Sequence, residues 1–94
     1  MPRYVIERDI PAIGSAEREA LREAAAKSND TLAAMKVEEK NIQWEHSYVA
    51  NDKTFCIYIA ENEELILDHA RRSGFPATKI TEVRKMIDPV TAEP

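Results

Sequence analysis

The chain is poor in glycine, cysteine, histidine and tryptophan, and each scarcity closes off a class of function. Two glycines in 94 residues leave no glycine-rich loop to cradle a phosphate. The single cysteine, Cys56, allows no intramolecular disulfide and fits a reducing compartment. It also lies within a run of strand formers, away from any helix start that would activate a thiol, so nucleophilic catalysis has little support. No stretch approaches the ~18 consecutive apolar residues of a membrane span. The opening segment, residues 1–9, has no apolar run of the length a secretory leader needs. A cytoplasmic protein is the expectation. Basic residues number 13 against 17 acidic ones, giving a formal net charge of −4 and a pI of about 5.2. That balance argues against nucleic acid, which needs a basic face to displace counterions, and against anionic membrane surfaces.

What remains is a well-patterned small domain, expected to span residues 1–89 with a loose tail at 90–94. Residues 4–10 are rich in β-branched and aromatic side chains, and Pro11 closes this first strand. Ser15 is a credible helix cap, and Leu21, Ala24, Leu32 and Met35 then recur at helical spacing, with Ser28 in the gap of the stripe. A helix over about 16–35 follows. Residues 42–49 read as a second strand, Asn51-Asp52 as a tight turn, and residues 55–60 as a third strand. Asn62 caps a second helix that carries Leu65, Ile66, His69 and Ala70 on one face. Arg71 and Arg72 suit its negative end, and Gly74 suits the left-handed position that stops it. Residues 80–87 make a fourth strand.

The order βαββαβ is that of the ferredoxin-like α+β fold, a four-stranded antiparallel sheet with two helices on one face. The far face of such a sheet should be polar if it meets water. Neither face is polar here, since Phe55, Ile57 and Ile59 alternate with Cys56 and Tyr58. A second copy packed sheet against sheet would cover the surplus, so a homodimer is expected.

Two histidines and the cysteine are the metal-ligating candidates: His69, His46 and Cys56. Imidazole and thiolate suit nickel, zinc or copper. The hairpin register decides the set. A two-residue Asn51-Asp52 turn places His46 opposite Ile57 and Tyr48 opposite Phe55, with Ser47 and Cys56 on the other face. One more loop residue would bring Cys56 beside His46, because a one-residue slip inverts every side chain. The second candidate is an apolar pocket between the sheet and the second helix, lined by Tyr4, Trp44, Tyr48, Tyr58 and Phe75, with a histidine at its wall. Such a pocket would take a small organic ligand or move a proton. The same aromatics also serve as core and dimer interface.

Four segments carry a family resemblance: Pro2-Arg3-Tyr4-Val5-Ile6-Glu7-Arg8, Trp44-Glu45-His46-Ser47-Tyr48-Val49, Phe55-Cys56-Ile57-Tyr58-Ile59-Ala60, and the stretch from Glu64 to Pro76. Together they resemble a bacterial family of unknown function whose best-known member is described as nickel-binding. The resemblance runs from about residue 1 to 89. It implies a ferredoxin-like fold, a dimer of the dimeric α+β barrel kind, and nickel as the metal. The nickel-binding member is richer in histidine, near the chain start and just before the proline of the Gly-x-Pro motif. This chain has Phe75 at the latter place, and only His46 and His69 remain. On the resemblance, His69 is the first ligand and His46 the second.

Overall fold

The computed structural model describes residues 1–94. Four strands and two α-helices follow in the order expected: β1 (Arg3–Asp9), α1 (Arg18–Val37), β2 (Ile42–Val49), β3 (Lys53–Ala60), α2 (Glu63–Ser73) and β4 (Lys79–Val83). The strands form one antiparallel sheet in the order β2-β3-β1-β4. Both helices cover one face, which makes the fold ferredoxin-like. Burial alternates strictly along β1 and β3. Tyr4, Ile6 and Arg8 point inward from β1, as do Thr54, Cys56, Tyr58 and Ala60 from β3. Met35 of α1, Ile42 of β2 and Ile66 of α2 close the core against them.

The ends of α2 follow from its sequence. The Asn62 side chain accepts from the Leu65 amide, and Gly74 takes the left-handed conformation at φ 80°. Helix α1 starts later than the Ser15 cap predicts. Residues Ile13–Ser15 are instead wound into a 3-10 turn, and Glu17 precedes the helix without a side-chain cap. That turn is held by the hairpin. The Gly14 amide donates to the Asn51 carbonyl at 2.8 Å, so the residues before α1 are spent on packing against the β2–β3 turn. Strand β4 ends at Val83 rather than at 87, because its partner β1 begins at Arg3 and the pair Arg3–Val83 is the last available. Met86 and Ile87 beyond it are exposed. Pro89–Ala92, which runs into the expected tail, forms an exposed 3-10 turn capped by Asp88.

The β2–β3 register follows the two-residue turn. Ala50 bonds to Lys53, and His46, Ser47 and Tyr48 lie opposite Ile57, Cys56 and Phe55. One residue then interrupts it. A β-bulge at Glu45 makes Trp44, not Glu45, the partner of Tyr58. A bulge adds a residue to one strand and turns everything beyond it to the other face. Trp44 therefore joins the helix-covered face, while His46 and Tyr48 stay on the open one. Unbroken alternation along β2 would put all three on one face, and the bulge separates Trp44 from the other two. Glu45 itself is held by Arg3, across the sheet.

A surface network ties the helices together. Arg72 forks onto Glu38, and Asp68 takes Lys40 at 2.9 Å and Arg72 at 3.1 Å. The Arg72 hydrogen bonds, aided by Lys40, hold the Glu38 carboxyl at about 2.

The two glycines should differ in their tolerance of a methyl group. A Cβ on Gly14 would fall 2.6 Å from the Ala50 carbonyl oxygen, a backbone atom, whereas one on Gly74 meets only the tip of Lys27. In denaturant unfolding, Gly74→Ala is expected to cost about 1–2 kcal/mol from its left-handed backbone alone. Gly14→Ala is expected to cost more, because it pushes the hairpin turn off the core. A smaller loss for Gly14→Ala would show that the hairpin turn is not held against residue 14.

Candidate functional site

Three elements meet at Ser28. It falls in the apolar stripe of α1, and its Oγ lies 3.0 Å from the Tyr58 hydroxyl of β3 and 3.1 Å from Nε2 of His69 on α2. The two rings tilt against each other with centroids 5.1 Å apart. His69 is 1% exposed, and its Nδ1 is buried without a hydrogen-bond partner. Burial first, and the nearby Arg8 charge second, push His69 from 6.5 down to about 4. It is a neutral imidazole at pH 7. Burial likewise raises Tyr58, against weaker opposite pulls from Ser28 and Arg8.

The proton order along this chain follows from the unpartnered Nδ1. If Nε2–H donates to Ser28, Nδ1 is a bare acceptor. In the opposite order Nδ1–H is an orphaned donor, and buried orphan N–H groups are the rarer case. We therefore assign His69 as donor to Ser28 and Ser28 as donor to Tyr58. The Tyr58 O–H is then left to donate elsewhere.

Beside this chain lies a cavity of about 220 Å³ between α1 and the sheet. Leu21, Ala24, Ala25 and Ser28 form its helix wall, and Trp44, Cys56 and Tyr58 line its sheet wall, with Phe75 at one side. Its space has a simple origin. Ala24, Ala25 and Ser28 are short, and the facing Thr54 and Cys56 are short as well. Arg8 is the one ionised side chain in the lining. It is 3% exposed, its Nη1 donates to the Pro76 and Phe75 carbonyls at 3.0 and 3.4 Å, and its guanidinium lies 5.9 Å and 5.8 Å from the Tyr58 and Phe75 ring centres.

The cavity differs from the pocket expected in two respects. It opens under α1 rather than α2, and it takes Trp44, Tyr58 and Phe75 but not Tyr4 or Tyr48. Tyr4 is packed in the core, and Tyr48 is 63% exposed on the open face, edge-on to His46 at 5.1 Å. Arg8 was missed from the sequence. The signal was there, because Arg8 continues the inward alternation of Tyr4 and Ile6.

The candidate ligands do not converge. His46 stands on the open face and His69 lies among the helices behind the sheet, so the sheet itself separates them. Cys56 is buried on the helix side with its Sγ 3.5 Å from Thr54 Oγ1. No group of three His, Cys, Asp or Glu side chains is placed to hold a metal ion. The unpartnered Nδ1 of His69 has the right chemistry but no companions. Within one chain the residues do not fit a nickel site.

A model of the family described as "Nickel responsive protein SCO4226-like" matches residues 4–83. The chain belongs to this family. The crystal structure of SCO4226 from Streptomyces coelicolor A3(2) is similar in fold, with a TM-score of 0.72 at 19% identity, over 90% of this chain and 99% of that one. No curated protein matches the chain. Membership of the nickel-responsive family agrees with the resemblance read from the sequence, and the shared fold agrees with the βαββαβ order. No helix is long and apolar enough to cross a membrane.

The low proton affinity of His69 makes stability depend on pH in a defined window. Between about pH 6.5 and 4 the unfolded chain takes up a proton at this residue and the folded chain does not, so stability falls as pH falls through that window. Above pH 6.5 this group contributes no slope. Over the whole window the loss is on the order of 3 kcal/mol. His69→Gln should flatten that part of the profile in denaturant unfolding measured from pH 7 to 4. An unchanged slope would show that His69 is not held neutral.

Proposed function

We propose that the protein is a small-ligand-binding member of its nickel-responsive family, and that its ligand is held in the cavity between α1 and the sheet. The observation that carries this reading is the cavity itself. It is walled by aromatic and aliphatic side chains, with a few polar groups converging at Arg8, Ser28 and Tyr58. Apolar concavities with a small number of placed polar groups are the usual form of small-molecule sites. Trp44 is the one tryptophan of the chain and lines this cavity, so it reports occupancy directly.

A second reading, nickel binding, is favoured by the family and by the place of His46. Its imidazole is exposed on the open sheet face, where Phe55, Ile57, Ile59, Val5 and Val83 are only half covered. A second copy laid on that face would shield these side chains and bring a further set of ligands toward His46. A nickel ion would then be shared between protomers of a homodimer, with His69 left to its hydrogen bonds in the core.

Each reading has its measurement. In a titration of small organic molecules followed by Trp44 fluorescence, saturable changes are expected that Ala24→Phe, which fills the cavity, removes. Changes that survive Ala24→Phe would move the ligand out of the cavity. For nickel, calorimetry is expected to give binding that His46→Ala abolishes and His69→Ala retains, in protein that light scattering shows to be dimeric. Nickel binding that depends on His69 and not on His46 would contradict the shared-site reading.

A further inference from the structure

We infer that the ligand of the cavity is a small organic monocarboxylate with an apolar body, anchored by Arg8. This rests on the ligand-binding reading of the cavity and adds the charge and class of the occupant.

Arginine is seldom buried without a partner, because the loss of its hydration has to be offset by an anion. Arg8 is inside the protein, yet every ion pair of the chain lies elsewhere. Its direct hydrogen bonds to the main chain run from Nη1 to two carbonyls, and the guanidinium also lies against the Tyr58 hydroxyl, whose ionised form it favours. Two carbonyls and two ring faces hold the guanidinium in place without neutralising it. A planar fork fixed in this way is preorganised for a carboxylate, which it meets through paired N–H groups. The Tyr58 hydroxyl, relieved of donating to Ser28 by the proton order set at His69, supplies a further donor at the same end of the cavity.

The rest of the lining selects among anions. Beyond Arg8 the lining holds no second cation: Ser28, Ser47 and Thr54 offer neutral hydroxyls, and Leu21, Ala24 and Ala25 are apolar. Lys27 reaches the Phe75 ring at 5.8 Å but is itself exposed. A phosphate dianion would therefore keep one charge unanswered among apolar walls, whereas a monocarboxylate is matched one to one. At about 220 Å³ the cavity is smaller than the ~300–1,000 Å³ common for drug-sized ligands, so the apolar body is compact.

The test compares charged and neutral probes of the same shape on the wild-type protein. Acetate, butyrate, hexanoate and benzoate are titrated against Trp44 fluorescence and by calorimetry, each beside its amide, with inorganic phosphate as a further probe. At least one of the larger acids is expected to bind saturably, its amide at least about tenfold more weakly, and phosphate not at all. Arg8→Gln should abolish the preference for the acid. If that variant does not fold, the contrast between acid and amide on the wild type still decides. An acid and its amide binding equally would overturn the carboxylate assignment while leaving the cavity as a ligand site. Phosphate binding without carboxylate binding would also overturn it. No saturable response to any acid or amide would overturn both the assignment and the ligand-binding reading beneath it.

Discussion

The hydrogen-bonded chain from His69 through Ser28 to Tyr58 is the constraint on which the interior of this protein turns. It joins α2, α1 and β3 at one point inside the core, where polar groups persist only with partners. A serine in the apolar stripe of α1 would be a weakness on its own. Here it gives the two rings a common partner and fixes how closely α1 can approach the sheet. The short side chains around it on α1 cannot reach β3, so the same feature that ties the helices to the sheet also leaves the space beside Trp44 and Tyr58. Arg8 reaches into that space from the central strand β1.

A single extra residue in β2 sorts the aromatic side chains into two populations. The bulge at Glu45 turns Trp44 toward the helices, where it stacks near Tyr58 and donates to Ser47 at 3.0 Å. His46 and Tyr48 remain on the open face with the half-covered aliphatics of β1 and β3. The two faces thus acquire separate chemistries. One is concave, apolar and positively charged at one point. The other is broad and apolar, with an accessible imidazole on the edge strand.

Much of this was legible in the residues, and the parts that were not share a cause. Asn62, Gly74 and the Asn51-Asp52 turn act through their immediate neighbours, so helix α2 and the hairpin register follow from sequence. The alternation of Phe55 to Ala60 announces a sheet with two apolar faces. The bulge is different, because Trp44, His46 and Tyr48 alternate as cleanly as an unbroken strand would. Only the pairing of Trp44 with Tyr58 and of Ile42 with Ala60 reveals it. The end of β4 depends on where β1 begins, and the delayed start of α1 on the approach of Gly14 to the hairpin. Arg8 continues the inward alternation of Tyr4 and Ile6, yet a cation is ordinarily expected at the surface, and only the folded sheet shows it buried. Family resemblance directed attention to His46 and His69 together, yet which face each occupies is a property of the folded sheet.

The cavity under α1, proposed as a binding site, has Arg8 as its one fixed charge. The most direct test of that proposal is a crystal structure grown with benzoate. Electron density for the acid is expected inside the cavity, with its carboxylate against the Arg8 guanidinium and its ring between Trp44 and the alanines of α1. A cavity filled by its own side chains, or benzoate bound away from Arg8, would contradict the proposal.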